Sequence, residues 1–215
     1  MNISIVKQSD LASSQWGHGA GTMCEVYRYP KNADNHSYLV RFSTATIEIP
    51  ESNFTLYPGY IRHHRTLQGA CEFAVDTLGD HTLTNQSGSV FDFFGETQVK
   101  CKLATTSAFA INLIHQPQVQ VTDRVMQVRA ASMNLDQLLQ TPFSVPASAA
   151  LCLHIVYIIE GTLSVQATGC DQQHHLTAGD AIIVTRSTTD AHRAQWAVTS
   201  GNAKIYHGLV GLEKS

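Results

Sequence analysis

Arg41 stands in the run Tyr38–Ile49, whose alternation places it and Ser43 on one face with Leu39, Ala45, Ile47 and Ile49. A guanidinium among aliphatic side chains needs an anionic partner, because an unpaired buried charge is prohibitively unfavourable. Two partners fit: Glu25, which alternates with Met23 and Tyr27 on the neighbouring run, or the carboxylate of a ligand. Asn112 repeats the pattern on a face with Ala110 and Ile114, where a buried amide must find hydrogen bonds in backbone, water or ligand. Arg62 follows the turn-forming Tyr57-Pro58-Gly59-Tyr60, which either aims it into a barrel mouth or leaves it on the surface. With Trp16 as an aromatic wall and His18 in a glycine-rich loop, Arg41, Arg62, Ser43, Asn112, Glu25 and Tyr57 outline a pocket for a small carboxylate. Two cations supply bidentate recognition, and the polar groups supply orientation.

Other chemistries find less support. Gly17-His18-Gly19-Ala20-Gly21 lacks the Gly-Lys-Ser/Thr of a phosphate loop and precedes a strand rather than a helix. There is no nucleophile elbow and no usefully spaced carboxylate dyad, and Cys24 sits beside Glu25, whose charge disfavours a thiolate. These residues read as a binding protein without a cofactor rather than an enzyme.

The elements that must position them are strands. Alternating and β-branched runs punctuated by Gly, Asn, Asp and Pro predict strands at Met23–Tyr29, Tyr38–Ile49, Cys71–Val75, Val99–Leu103, Phe109–Ile114, Val125–Ser132, Leu151–Ile159, Thr162–Val165, Ala181–Thr185, Arg193–Val198 and Lys204–Val210. One short helix is expected after an Asn134 N-cap, through Leu135, Leu138 and Leu139 and stopping before Pro142. The fold class is all-β with very little helix. The polar stretch Gln116–Asp123 divides 215 residues into halves at 1–117 and 118–215.

Only 14% of residues are charged, with 14 Lys+Arg against 17 Asp+Glu. A net charge of −3 without a basic run excludes a nucleic-acid footprint. No apolar window is long enough for a membrane helix, and the first residues lack signal-peptide character, so a cytoplasmic protein is expected. Five scattered cysteines, Cys24, Cys71, Cys101, Cys152 and Cys170, suit reduced packing thiols.

Two resemblances sharpen this. Leu153-His154-Ile155-Val156-Tyr157-Ile158-Ile159-Glu160-Gly161-Thr162-Leu163, then Leu176-Thr177-Ala178-Gly179-Asp180-Ala181, resembles the paired signatures of a cupin barrel, in which the glycine after the glutamate makes a hairpin turn. Trp16-Gly17-His18-Gly19-Ala20-Gly21-Thr22-Met23-Cys24-Glu25, Arg41-Phe42-Ser43-Thr44-Ala45, Tyr57-Pro58-Gly59-Tyr60-Ile61-Arg62, Leu67-Gln68-Gly69, Phe94-Gly95-Glu96 and Asn112-Leu113 fall in the order of the HutD/Ves family of bicupins. The chain departs from the family where Gly17, Cys24, Ile61 and Ala110 replace polar residues. The resemblance implies two cupin-like barrels or sandwiches in one chain, binding a small acidic metabolite in histidine utilisation or a stress response, with room for a homo-oligomer. In metal-binding cupins the first signature carries two histidines; here His154, Glu160 and a later His192 remain, with Val156 in the second histidine's place. A metal-dependent oxygenase or isomerase using those three residues is the alternative, and a degenerate scaffold is a third.

Overall fold

The computed structural model describes residues 1–75, 82–85, 90–139, 149–188 and 196–213, with backbone alone at 82–85 and 130. The strands are β1 (Asn2–Val6), β2 (Ser13–Trp16), β3 (Gly21–Tyr29), β4 (Val40–Ile47), β5 (Glu51–Asn53), β6 (Ile61–Gln68), β7 (Cys71–Val75), β8 (Thr82–Asn85), β9 (Val90–Phe94), β10 (Val99–Leu103), β11 (Ala108–His115), β12 (Gln120–Ala130), β13 (Met133–Asn134), β14 (Ala149–Ala167), β15 (Gln173–Thr177), β16 (Ala181–Ser187) and β17 (Trp196–Glu213). The one α-helix described, α1 (Leu135–Leu139), is capped by Asn134, whose side-chain oxygen accepts from Asp136 N at 2.9 Å. The protein is all-β, as its patterning predicts.

Two compact units form: Leu11–Pro117, and Gln118–Ser215 together with Met1–Asp10. The second unit begins at Gln118, and the first ten residues belong with it rather than with the unit they precede in sequence. The reason is physical: β1 pairs along β16, and Asp180 accepts from Lys7 Nζ at 2.7 Å and Gln8 N at 2.9 Å. Asp180 is 3% exposed; burial raises its pKa, but Lys7 and the backbone amides of Gln8 and Thr177 outweigh that and hold the carboxyl below its usual range.

The unit Leu11–Pro117 is a sandwich of two sheets, ordered β2-β3-β4-β11-β6-β9 and β5-β10-β7-β8. Among the described residues no ladder joins the two, so of the barrel or sandwich expected the unit takes the open sandwich. The chain passes from one sheet to the other between β4 and β5 and between β6 and β7, where Leu103 N donates to Pro50 O at 2.8 Å and Ala104 N to Ala70 O at 2.9 Å. Between the sheets pack Ile47, Phe54, Cys71, Phe73, Val75, Phe91, Val99, Cys101 and Ala108.

The other unit holds one open sheet, β1-β16-β14-β17-β12, with β13 and β15 added. Its core is Val156, Ile158, Leu163, Val165, Leu176, Ile182, Val184, Val198 and Ile205, closed by Leu135, Leu138 and Leu139 of α1. The hairpin expected at Gly161 does not form; β14 runs on for 19 residues. Gly161 takes φ +82° inside the strand, and a Cβ there would lie 2.0 Å from Asn202 O. The glycine therefore bends a continuous strand against β17, next to the register shift between Ile158 and Glu160, instead of closing a turn.

Candidate functional site

Strand register assembles the site on the inner face of the six-stranded sheet. One row across the sheet reads Glu25–Ser43–Asn112–His64, and the next reads Arg41–Ile114–Arg62. The two arginines thus flank β11, about 10 Å apart at the backbone for two strand spacings. A small pocket opens above these rows, lined by Trp16, Met23, Arg41, Ser43, Phe54, Tyr57, Arg62, His64, Asn112 and Ile114 among others.

Arg41 is held. Its Nε donates to Glu25 Oε2 at 2.7 Å, its Nη1 to the Tyr57 hydroxyl at 3.1 Å, and its Nη2 contacts Met23 Sδ at 3.3 Å. Glu25 does not belong to Arg41 alone. Arg28 donates Nε to Glu25 Oε1 at 2.8 Å and Nη2 to Oε2 at 2.6 Å. Burial raises the Glu25 pKa, but Arg28 and Arg41 outweigh it and hold the carboxyl below its usual range. One carboxylate shared between two guanidiniums leaves the cluster positive.

Arg62 has no carboxylate among the described residues. It is 7% exposed; its Nε donates to Asn112 Oδ1 at 2.9 Å, and its guanidinium carbon lies 4.3 Å from the Phe54 ring centroid and 5.5 Å from that of Phe93. Burial pushes its pKa down to about 10; Tyr57 opposes this and Arg41 adds to it.

These contacts fix Asn112. Because Arg62 Nε–H can only donate, the atom facing it is the amide oxygen, and that oxygen also receives His64 Nδ1–H at 2.9 Å. Asn112 Nδ2 is turned the other way, with no hydrogen-bond partner among the described residues, and the residue lines the pocket. His64 is neutral: burial first, then Arg62, pushes its pKa down to about 3. Its Nε2 then accepts from Thr66 Oγ1 at 3.3 Å.

Trp16 donates its indole N–H to Thr46 O at 2.8 Å and serves the pocket as a wall. Tyr57 is set by a type II turn in which Tyr60 N reaches Tyr57 O at 3.1 Å and Gly59 takes φ +82°. Of the residues read from sequence, Arg41, Arg62, Ser43, Asn112, Trp16 and Tyr57 line the pocket, and Glu25 lies behind Arg41. His18 does not line it. Gly17 and His18 are the left-handed central residues of the β2–β3 hairpin, at φ 57° and 56°, and His18 is exposed at the tip. His64, Met23 and Phe54 complete the lining, and alternation through Arg62 and His64 on β6 is the sequence signal that points to the first of them.

Of the alternative metal residues, the two that are described do not converge. His154 is 1% exposed and its Nδ1 lies 3.1 Å from His207 Nε2, whereas Glu160 is exposed and 3.9 Å from Lys204 Nζ. His192 lies outside the described residues. Among the described residues no three His, Cys, Asp or Glu side chains are grouped to hold a metal ion.

Fold and site together define a cupin-like β-sandwich protein with a cationic pocket inside one sandwich. The HutD family profile matches residues 8–202, and the chain belongs to that family. Among solved structures it is similar to HutD from Pseudomonas fluorescens SBW25, from a formate condition (21% identity, TM-score 0.67, all of both chains), and to a conserved protein of unknown function from Pseudomonas aeruginosa PAO1 (18%, 0.71, all of both chains). A mutant oxalate decarboxylase from Bacillus subtilis shares the fold at 7% identity, with TM-score 0.62 over 98% of this chain and 78% of that one. No curated protein matches the sequence. No helix described is long and apolar enough to cross a membrane.

Proposed function

We propose that this HutD-family protein binds a small carboxylate, without catalysing a reaction on it, in the pocket between Arg41 and Arg62. The observation that carries the reading is Arg62: a buried guanidinium, without a protein carboxylate among the described residues, beside an amide nitrogen and a Ser43 hydroxyl that have no hydrogen-bond partner there. A ligand carboxylate would take Nη donors from Arg62 and the Nδ2–H of Asn112, and its charge would offset the net positive cluster. The aromatic faces of Trp16 and Phe54 suit a planar or apolar remainder. Membership of the HutD family makes acids of histidine breakdown the first candidates, and a protein that only binds such an acid would act as a sensor or buffer of it in the cytoplasm.

Thermal-shift titration with urocanate, N-formylglutamate, formate and glutamate tests this. At least one should raise the melting temperature of the wild type in a concentration-dependent way, and Arg62→Met should abolish the rise. No shift with any of the four at millimolar concentration would overturn the reading.

A further inference from the structure

On the face of the same sheet turned away from the pocket, His63 of β6 and His115 of β11 are diagonal neighbours, since Leu113 pairs His63 and His115 pairs Ile61. Their Nε2 atoms lie 2.9 Å apart. We propose that this pair is a binding site for one divalent transition-metal ion of the copper or nickel kind, held by the two imidazoles with solvent completing the shell.

The surrounding hydrogen bonds carry the argument. His115 Nδ1 is 2.8 Å from Gln116 O, and a carbonyl oxygen only accepts, so the His115 proton is on Nδ1. His63 Nδ1 is 2.7 Å from Asp92 Oδ1 of the neighbouring β9, so that nitrogen likewise carries a proton. In the neutral form of both rings the two Nε2 atoms are therefore lone pairs facing each other at 2.9 Å. Two such lone pairs repel unless an electrophile is shared between them.

One imidazole anchored by a carboxylate and one by a backbone carbonyl is the arrangement that fixes tautomer and ring direction in metal-ligating histidines. With metal–nitrogen bonds of about 2.05 Å, nitrogens 2.9 Å apart subtend roughly 90° at the ion. That is the cis angle of tetragonal or octahedral coordination, which copper(II) and nickel(II) favour over tetrahedral zinc. The ring centroids are 5.0 Å apart and the planes 17° apart; an ion bound to both nitrogens at that angle sits off the nitrogen–nitrogen line, so each ring must turn within its Nδ1 hydrogen bond to receive it. His115 is buried at 3% exposure, whereas the His63 side chain is 17% exposed and that of Asp92 50%, so solvent reaches the pair from the His63 side.

The test uses the metal-stripped full chain, equilibrated with Cu²⁺, Ni²⁺ or Zn²⁺, desalted and assayed for metal, with isothermal titration for affinity. The wild type should retain about one Cu²⁺ or Ni²⁺ more tightly than Zn²⁺, with two-nitrogen hyperfine structure in the copper spectrum. His63→Ala and His115→Ala should each weaken binding at least tenfold, and Asp92→Asn about 10–100-fold. His63 and Asp92 are partly exposed, so their variants keep the test informative should His115→Ala fail to fold. Failure of the wild type to retain any ion would overturn the proposal and leave a proton bridging the pair. Retention unchanged in both the His63 and Asp92 variants would overturn it too.

Discussion

At the residue scale the decisive feature is a charge count. Arg28 and Arg41 share a single carboxylate, Glu25, and Arg62, as buried as Arg41 at 7% exposure, has no share of it. A buried charge of this kind lowers stability unless an anion pairs with it. Arg62→Met should therefore leave the melting temperature of the unliganded protein unchanged or raised, while weakening carboxylate binding by about 2–5 kcal/mol, as read by calorimetric titration. Asn112→Asp is sharper. It places a carboxylate on Arg62 Nε at the present 2.9 Å contact, so stability should hold or rise and carboxylate binding should vanish. Loss of fold instead of loss of binding would show that Asn112 is structural only. Arg41, Ser43 and Asn112 were legible in the sequence because simple alternation holds along β4 and β11. Arg28 was not: a register shift between Glu25 and Tyr27 makes Arg28, not Tyr27, the partner of Arg41, and so turns it to Glu25's side of the sheet. No pattern in the residues marks that extra step.

At the element scale, strands that alternate plainly, such as β7 and β10, were legible to the residue. The polar-looking β6, Ile61-Arg62-His63-His64-Arg65, was not, because its inward side chains are a cation and an imidazole rather than aliphatics. The expected turn at Gly161 failed for a related reason: a positive φ permits a tight turn but does not require one. Gly161→Ala should drive a methyl into Asn202 O and destabilise the protein by roughly 1–3 kcal/mol, measured by denaturant unfolding. Carboxylate affinity should be unchanged, because the pocket is built only from residues between Trp16 and Ile114. A parallel loss of affinity would contradict that separation.

At the scale of the whole molecule, low charge and alternating patterns made the all-β class legible, and motif order made the family legible. Open sandwich and closed barrel present the same alternation, so that distinction was not. The placement of residues 1–10 was hidden as well, since it depends on Lys7 and Gln8 meeting Asp180, over 170 positions away. Burial also makes the protein sensitive to acid. His64 and His154 are pushed down to about 3 and His207 to about 4, in each case chiefly by burial. All three lie below the unfolded value of about 6.5. The unfolded chain therefore takes up protons below pH 6.5 that the native state refuses. Stability should be full above that pH and fall toward pH 4 by up to about 1.4 kcal/mol per pH unit for each histidine. Urea unfolding at pH 7.5, 6, 5 and 4 checks this; a flat profile down to pH 5 would contradict it.

The central claim is that Arg62 awaits the carboxylate of a ligand. A crystal structure of the protein grown with urocanate tests it most directly. The expected result is a carboxylate within about 2.7–3.2 Å of the Arg62 Nη atoms and of Asn112 Nδ2, with the ring of the acid against Trp16 or Phe54. A pocket holding only water at saturating ligand, or a carboxylate of the protein itself closed onto Arg62, would contradict the account.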